Sequence, residues 1–292
     1  MRALIRKLTG AASAPGGRAA SRAASGQLRP VRRATALFVA ATVLLAAAAA
    51  QASPPQRIVS LAPNLTAMVI ALGSEERLAA VTPFCAAAES VPRLPGGLQP
   101  EAETVLGFSP DLILASPLTP EATRQQLQKL GLRIEVMDTS SLTAIRGTMD
   151  RIAGLLELPA SAPAPPARAD RGLSCALLFG ADTGYSAGRG THAHEILEAA
   201  GLRNIAADRG SPWPELGEEF LLAADPDIIL VADYAGTSED AVPAQLRAHP
   251  VRCHLTAVRR GRVLVFPAAA FSIPGPEALA APGLITARLD TP

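Results

Sequence analysis

E-T-V-L-G-F-S-P-D-L-I-L at residues 103–114 and E-F-L-L-A-A-D-P-D-I-I-L at 219–230 are two versions of one string, beginning 116 residues apart. Glu103 stands eight residues before Asp111, and Glu219 eight before Asp227. Each copy predicts a short helix, a Pro-Asp turn and a fully apolar strand covered on both faces. Duplication on this scale predicts two similar lobes instead of one enlarged core. A cleft between two lobes suits a protein that holds something.

Outward from the repeats, strand and helix signals alternate. Residues 57–61 and 78–81 read as strands, with a helix between them opened by Pro63-Asn64 and ended by Gly73. A helix over 101–108 leads to a strand at 112–115. Then come a helix over 120–130, a strand at 134–137 and a helix over 142–158. P-A-S-A-P-A-P-P at 159–166 follows. Proline lacks the amide donor and clashes with the preceding turn, so this stretch predicts an extended linker. Beyond it the alternation resumes, with strands at 173–179, 228–231 and 262–266. Helices are expected over 191–200, 215–223 and 242–248, and from Pro276 a terminal helix broken by Pro282. The expected fold class is α/β: two Rossmann-like lobes, each a parallel sheet flanked by helices, with a ligand cleft between them. The expected division is a leader over 1–52, a first lobe over 53–158, a linker over 159–172 and a second lobe over 173–292.

Residues 1–52 contain no Asp or Glu and eight of the chain's 27 Lys and Arg. An uncharged run from Ala34 to Ala50 precedes Ala50-Gln51-Ala52, a small-x-small cleavage pattern. This predicts a secretory signal peptide and a periplasmic location, the alternative being an uncleaved membrane anchor. Without the leader, 19 basic and 26 acidic side chains remain, a net charge of −7. A mildly acidic chain offers no footprint for nucleic acid. Cys85, Cys175 and Cys253 are odd in number, so at least one thiol is unpaired or pairs between molecules, and their spacing matches no zinc motif. Cys175 sits in an apolar run and reads as core packing.

Ten aromatic side chains are present. Phe84, Tyr185, Trp213, Tyr234 and Phe271 fall in loops or at strand exits, and Phe179 ends its strand. Ligands of open parallel sheets bind beyond the carboxyl ends of the strands, so scarce aromatics there point to a large ring-rich ligand. Trp213 stands between Pro212 and Pro214, which stiffen its loop.

R-I-V-S-L-A-P-N-L-T-A-M-V-I-A-L-G, V-T-P-F-C, L-P-G-G-L-Q-P-E-A-E, S-P-D-L-I-L-A-S, A-G-R-G-T, E-I-L-E-A-A-G-L-R-N-I-A-A-D and S-P-W-P-E-L, closed by A-D-P-D-I-I-L-V, carry a further likeness. From about residue 57 to 276 the chain resembles the helical-backbone (class III) periplasmic binding proteins of ABC importers, most of all the cobalamin-binding branch through Pro212-Trp213-Pro214. The resemblance implies a monomeric, non-enzymatic receptor that captures cobalamin or another corrinoid and delivers it to an importer's permease and ATPase. Haem or an iron–siderophore is the related alternative cargo. It implies ligand contacts at Pro63, Asn64, Phe84, Cys85 and Ser116 from the first lobe, and at Phe179, Tyr185, Trp213 and Phe271 from the second. Glu103 and Glu219 would dock into arginine pockets of the permease. Two departures stand out: Ala269 and Ala270 replace expected polar or aromatic contacts, and the long helix that joins the lobes in this family looks shortened. The second departure predicts a looser lobe arrangement or a compensating contact.

His192 and His194 are candidate axial ligands to a haem iron. At i and i+2 on a helix they diverge by about 200° and cannot chelate one ion together, and solvated residues at a helix start is the plainer reading. The amides of Gly188-Arg189-Gly190-Thr191 either receive an anion or are capped by Thr191. No GxSxG, HExxH, Walker-type loop or dinucleotide fingerprint appears. Two readings from other classes stay open: a secreted α/β enzyme and a partner-binding protein that lost transport.

Overall fold

The computed structural model describes residues 53–97, 100–159, 170–236 and 240–291; the expected leader and most of the expected linker lie outside them. The description below concerns the compact unit Pro54–Pro292. Its first half contains β1 (Ile58–Ser60), α1 (Pro63–Ala71), β2 (Leu78–Val81), α2 (Ala102–Gly107), β3 (Leu112–Ala115), α3 (Glu121–Lys129), β4 (Ile134–Val136) and α4 (Leu142–Leu155). Its second half contains β5 (Leu173–Leu178), α5 (His192–Ala199), β6 (Leu202–Asn204), α6 (Glu218–Ala224), β7 (Ile228–Asp233), α7 (Ala241–Ala248), α8 (Thr256–Arg259), β8 (Val263–Pro267), α9 (Ala269–Ser272) and α10 (Pro276–Asp290).

The strands form two four-stranded sheets of the same plan, β2-β1-β3-β4 and β6-β5-β7-β8, every pairing parallel. The expected two-lobed α/β class is therefore the observed one. The duplicated string explains why the plans match. In each copy the residue before proline turns left-handed, Ser109 at φ 46° and Asp225 at φ 32°. The turn delivers the next aspartate to the head of the neighbouring strand. Asp111 accepts the amides of Gln56 (2.7 Å) and Arg57 (3.0 Å) beside β1. Asp227 accepts the amide (2.9 Å) and hydroxyl (2.6 Å) of Ser174 in β5. One carboxylate thus fastens the two central strands of each sheet.

The Ser174 hydroxyl, then its amide, hold the Asp227 carboxyl below the usual range. A depressed folded-state value means that the stabilisation is present above the unfolded carboxylate pKa and is lost as pH falls through the folded one. Asp227→Ala is expected to cost about 1 kcal/mol at neutral pH, modest because the group is only partly buried. The difference in urea midpoint between the two proteins should close as the buffer is acidified below the carboxylate range.

Three hydrophobic clusters make up the core, and the largest draws on both halves, from Ile58, Leu65, Met68, Ile145 and Ile152 to Cys175, Ile196, Phe271, Leu279 and Ile285. The terminal helix α10 joins them. It packs on α5 of the second half and on α1 and α4 of the first. Arg171, just before β5, donates two bonds to Asp290 at its end (2.8 and 3.1 Å). The first amide of α4 donates to Glu195 Oε2 of α5 (2.7 Å), and Asn64 Nδ2 donates to Pro274 O (3.4 Å). The expected break at Pro282 is absent: α10 runs through it, with Ala278, Leu279, Ala281 and Ile285 buried around it. Burial of that face outweighs the one backbone bond that proline forgoes.

Candidate functional site

Two cavities open at the carboxyl ends of the strands, one against each sheet, and both share Ser272 with a larger one, about 960 Å³, lined by Tyr234, Phe266, Pro267, Ala268 and Arg288. The first, about 480 Å³, is lined by Leu61 to Asn64 after β1, Ser116 to Thr119 after β3, Asp138 to Ser140 after β4, and Ser272 to Pro274 from the second half. The second, about 350 Å³, is lined by Phe179, Tyr185, Ser186, Trp213, Tyr234 and Ser272. Ser272 belongs to both, so the cavities adjoin at the junction of the halves.

The clamp around Trp213 is built mainly by backbone, with the Trp213 amide donating to Ser211 Oγ (3.2 Å). Gly188 N donates to Pro212 O (2.8 Å), Ser186 N to Pro214 O (2.9 Å), and Leu216 N to Gly184 O (2.7 Å). Residues 184–188 and 212–216 thereby run as an antiparallel ribbon in which the two prolines serve only as acceptors, so their missing N–H groups cost nothing. Glycine is required on the partner side. A Cβ at Gly184 would stand 2.5 Å from Leu216 O, and one at Gly188 2.7 Å from Ser211 O. Between the two anchoring carbonyls, the Trp213 side chain is 47% exposed. Its ring meets Phe179 edge-on at 5.7 Å and His192 at 6.3 Å.

The structure brings Pro63, Asn64 and Ser116 to the first cavity, and Phe179, Tyr185 and Trp213 to the second. Asn64 is itself tied down: its amide also donates to Thr139 Oγ1 (2.9 Å). Phe84 lies beyond the end of β2, 63% exposed, and lines neither cavity. Two expected contacts are corrected. Cys85 is buried, with its sulfur within 3.1 Å of the hydroxyls of Thr66 and Thr82. Phe271 is fully buried in the shared core, its ring 6.0 Å from that of Phe266. The short helix α9 rolls Phe271 inward and leaves Ser272 at the cavity. Ser186, Tyr234, Leu118, Asp138 and Ser272 line the cavities without having been assigned there from the sequence. Tyr234 alone carried a signal, as an aromatic at a strand exit.

His192 and His194 also depart from the expected solvated helix start. Both are buried in the first turn of α5. His194 Nδ1 lies 3.1 Å from Asn204 Nδ2, and its Nε2 is 3.5 Å from Glu198. Burial pushes the His192 pKa down, opposed by a bond to the Phe271 backbone. Thr191 Oγ1 caps the helix by accepting from the His194 amide (3.1 Å). Among the described residues no group of three His, Cys, Asp or Glu is placed to hold a metal ion. Cys175 lies in the core, where desolvation pushes its thiol pKa up and keeps it protonated.

Glu103 and Glu219 occupy equivalent places, each the exposed first-turn acid of its helix, α2 or α6. Gln126 Nε2 donates to Glu103 Oε1 (3.1 Å). One turn on from each acid stands a leucine that is also exposed, Leu106 at 41% and Leu222 at 42%. Residues three apart share a helix face, so each half presents an acid beside an apolar side chain. Among the described residues no helix is long and apolar enough to cross a membrane.

Comparison with known proteins agrees with this architecture. A family model described as periplasmic binding protein matches residues 163–270. A cobalamin-binding protein of Halobacterium salinarum is 28% identical over 235 residues, which cover 73% of this chain and 63% of that protein. This chain thus spans under two thirds of that relative's length. A solved periplasmic heme-binding protein from Pseudomonas aeruginosa superposes with a TM-score of 0.60 at 26% identity, covering 80% of this chain and 92% of that one. The vitamin B12-binding protein BtuF of Vibrio cholerae gives a TM-score of 0.59 at 23% identity, covering 81% and 97%, and speaks to the fold. With its two matching parallel sheets and cavities at their strand ends, this chain is similar in architecture to these periplasmic binding proteins.

Proposed function

We propose that the protein captures a corrinoid between its two halves and presents it to the permease of an ABC importer, without catalysing a reaction. The observation that carries this reading is the pair of adjoining cavities at the strand ends, one polar-rimmed and one walled by Phe179, Tyr185, Trp213 and Tyr234. Flat apolar walls with a few polar groups suit a macrocycle that is planar in the middle and polar at its edge. Relatives named as cobalamin- and vitamin B12-binding proteins, at 27–28% identity, support the same cargo. Phe84, exposed beyond the end of β2 and outside both cavities, would reach the ligand only by turning its own side chain. Glu103 and Glu219, each with its leucine, form the matched knobs that meet the permease. The reading makes the protein a monomer acting in the periplasm, delivered there by cleavage of its first 52 residues.

Haem is the second reading, supported by the solved heme-binding protein at 26% identity. Titration of intrinsic Trp213 fluorescence separates the two. Cyanocobalamin is expected to quench it with a dissociation constant in the low micromolar range or below, tighter than haemin or a ferric hydroxamate. Quenching by haemin alone would transfer the assignment to haem.

A further inference from the structure

The largest cavity, about 960 Å³, lies beyond the ends of β7 and of β8, the edge strand of its sheet, and runs out along α10 to Leu284, Ala287 and Arg288. It is continuous with the other two. Tyr234 and Ser272 line both it and the second cavity, and Ser272 and Ile273 both it and the first. A ligand seated at the junction of the halves therefore has a way into it across Ser272. Ligand pockets ordinarily measure about 300–1,000 Å³, so a third space near the top of that range suits a cargo with more to it than a ring.

The chemistry of the walls narrows what enters. Val265, Phe266, Pro267 and Ile273 give an apolar lining. Tyr234 is 67% exposed and Leu284 53%, and a flat apolar group laid on them would take both from water. The charged lining residues are Asp233 and Arg288. Asp233 Oδ1 accepts the amide of Ala235 (3.0 Å) in its own loop. The Arg288 guanidinium carbon stands over the Phe266 ring, 5.9 Å from its centroid. A planar guanidinium steadied on an aromatic face presents a fork of donors that matches an oxyanion.

We propose that this third cavity houses an arm of the cargo, an aromatic base tethered through a phosphodiester, with the base on Tyr234 and Leu284 and the phosphate on Arg288. The proposal rests on the corrinoid reading and narrows it to corrinoids that carry their nucleotide. The other side arms of such a cargo end in uncharged carboxamides, so the phosphodiester is the anion that it brings to Arg288. The aromatic clamp takes the ring, and the third cavity separates the complete corrinoid from the ring alone.

The test titrates the full chain by calorimetry with cyanocobalamin and with dicyanocobinamide, which lacks the base and the phosphodiester. The wild type is expected to bind cyanocobalamin at least tenfold tighter. Arg288→Gln should cut that preference at least threefold, and Ala287→Phe, which fills the cavity from an exposed helix position, should abolish it. Both variants should hold cobinamide within twofold of the wild type, a readout that a general loss of structure would not leave in place. Raising the salt from about 50 mM to about 500 mM should erode the wild-type preference and spare what remains of it in Arg288→Gln. Equal wild-type affinities for the two corrinoids, parallel losses of both in Arg288→Gln, or an undiminished preference in Ala287→Phe would each overturn the proposal and leave the corrinoid reading standing. If the wild type binds neither corrinoid, that reading fails and the third cavity's assignment with it.

Discussion

Trp213→Ala is expected to weaken cyanocobalamin binding more than tenfold while moving the melting temperature of the empty protein by no more than a few degrees. The exposed half of an indole offers roughly 100 Å² of apolar surface to a ligand, which at about 25 cal/mol per Å² amounts to about 2.5 kcal/mol. A tenfold loss needs only about 1.4 kcal/mol, so the estimate leaves room for incomplete contact. The loop should survive, because the bonds at Pro212 O and Pro214 O involve no part of the indole. Trp213 is the chain's one tryptophan, so the variant has to be followed by calorimetry instead of its own fluorescence. Equal affinities for the two proteins would take Trp213 out of the site.

The double variant Glu103→Ala, Glu219→Ala is expected to keep corrinoid affinity within twofold and to abolish importer-dependent uptake. Neither glutamate lines the cavities, and both are exposed at the openings of α2 and α6. An exposed ion pair is worth about 0–1 kcal/mol, so affinity for the permease is the smaller part of the expected effect. Paired charges on two equivalent lobes act mainly by orienting the encounter, and removing both erases the charged part of the register that a two-fold partner would read. Single variants should therefore retain part of the uptake. Gln126 loses its acceptor in the variant, but it is exposed and finds water instead. Uptake at the wild-type rate in the double variant would mean that the knobs face nothing.

Much of this architecture was legible in the chain because the repeats are long and locally consistent. The apolar runs at 112–115 and 228–231 have no alternative to a covered strand, and the left-handed residues before Pro110 and Pro226 follow the same turn chemistry. What escaped notice is short or depends on tertiary packing. β6 is three residues, Leu202–Asn204, paired to β5 and too brief for a period to register. The four-residue helix α9 decided Phe271 against Ser272, and no pattern in A-A-F-S announces which one turns inward. Burial of His192 came with α9 and α10 closing over α5, residues some eighty positions further on, whereas His194 is buried toward Asn204 of β6. Of the nine expected ligand positions, six line the two cavities: Pro63, Asn64, Ser116, Phe179, Tyr185 and Trp213. Cys85 and Phe271, one residue past a loop aromatic or inside a short helix, do not.

The helix shared by both halves bears on how the proposed carrier would announce that it is full. With α10 wedged against α1, α4 and α5, and Arg171 clipped to Asp290, neither half swings without dragging the other's interior along. Jaw-like closure is a poor signal in such a body. An importer docking on it would sense occupancy from what plugs the mouth, not from a change of posture.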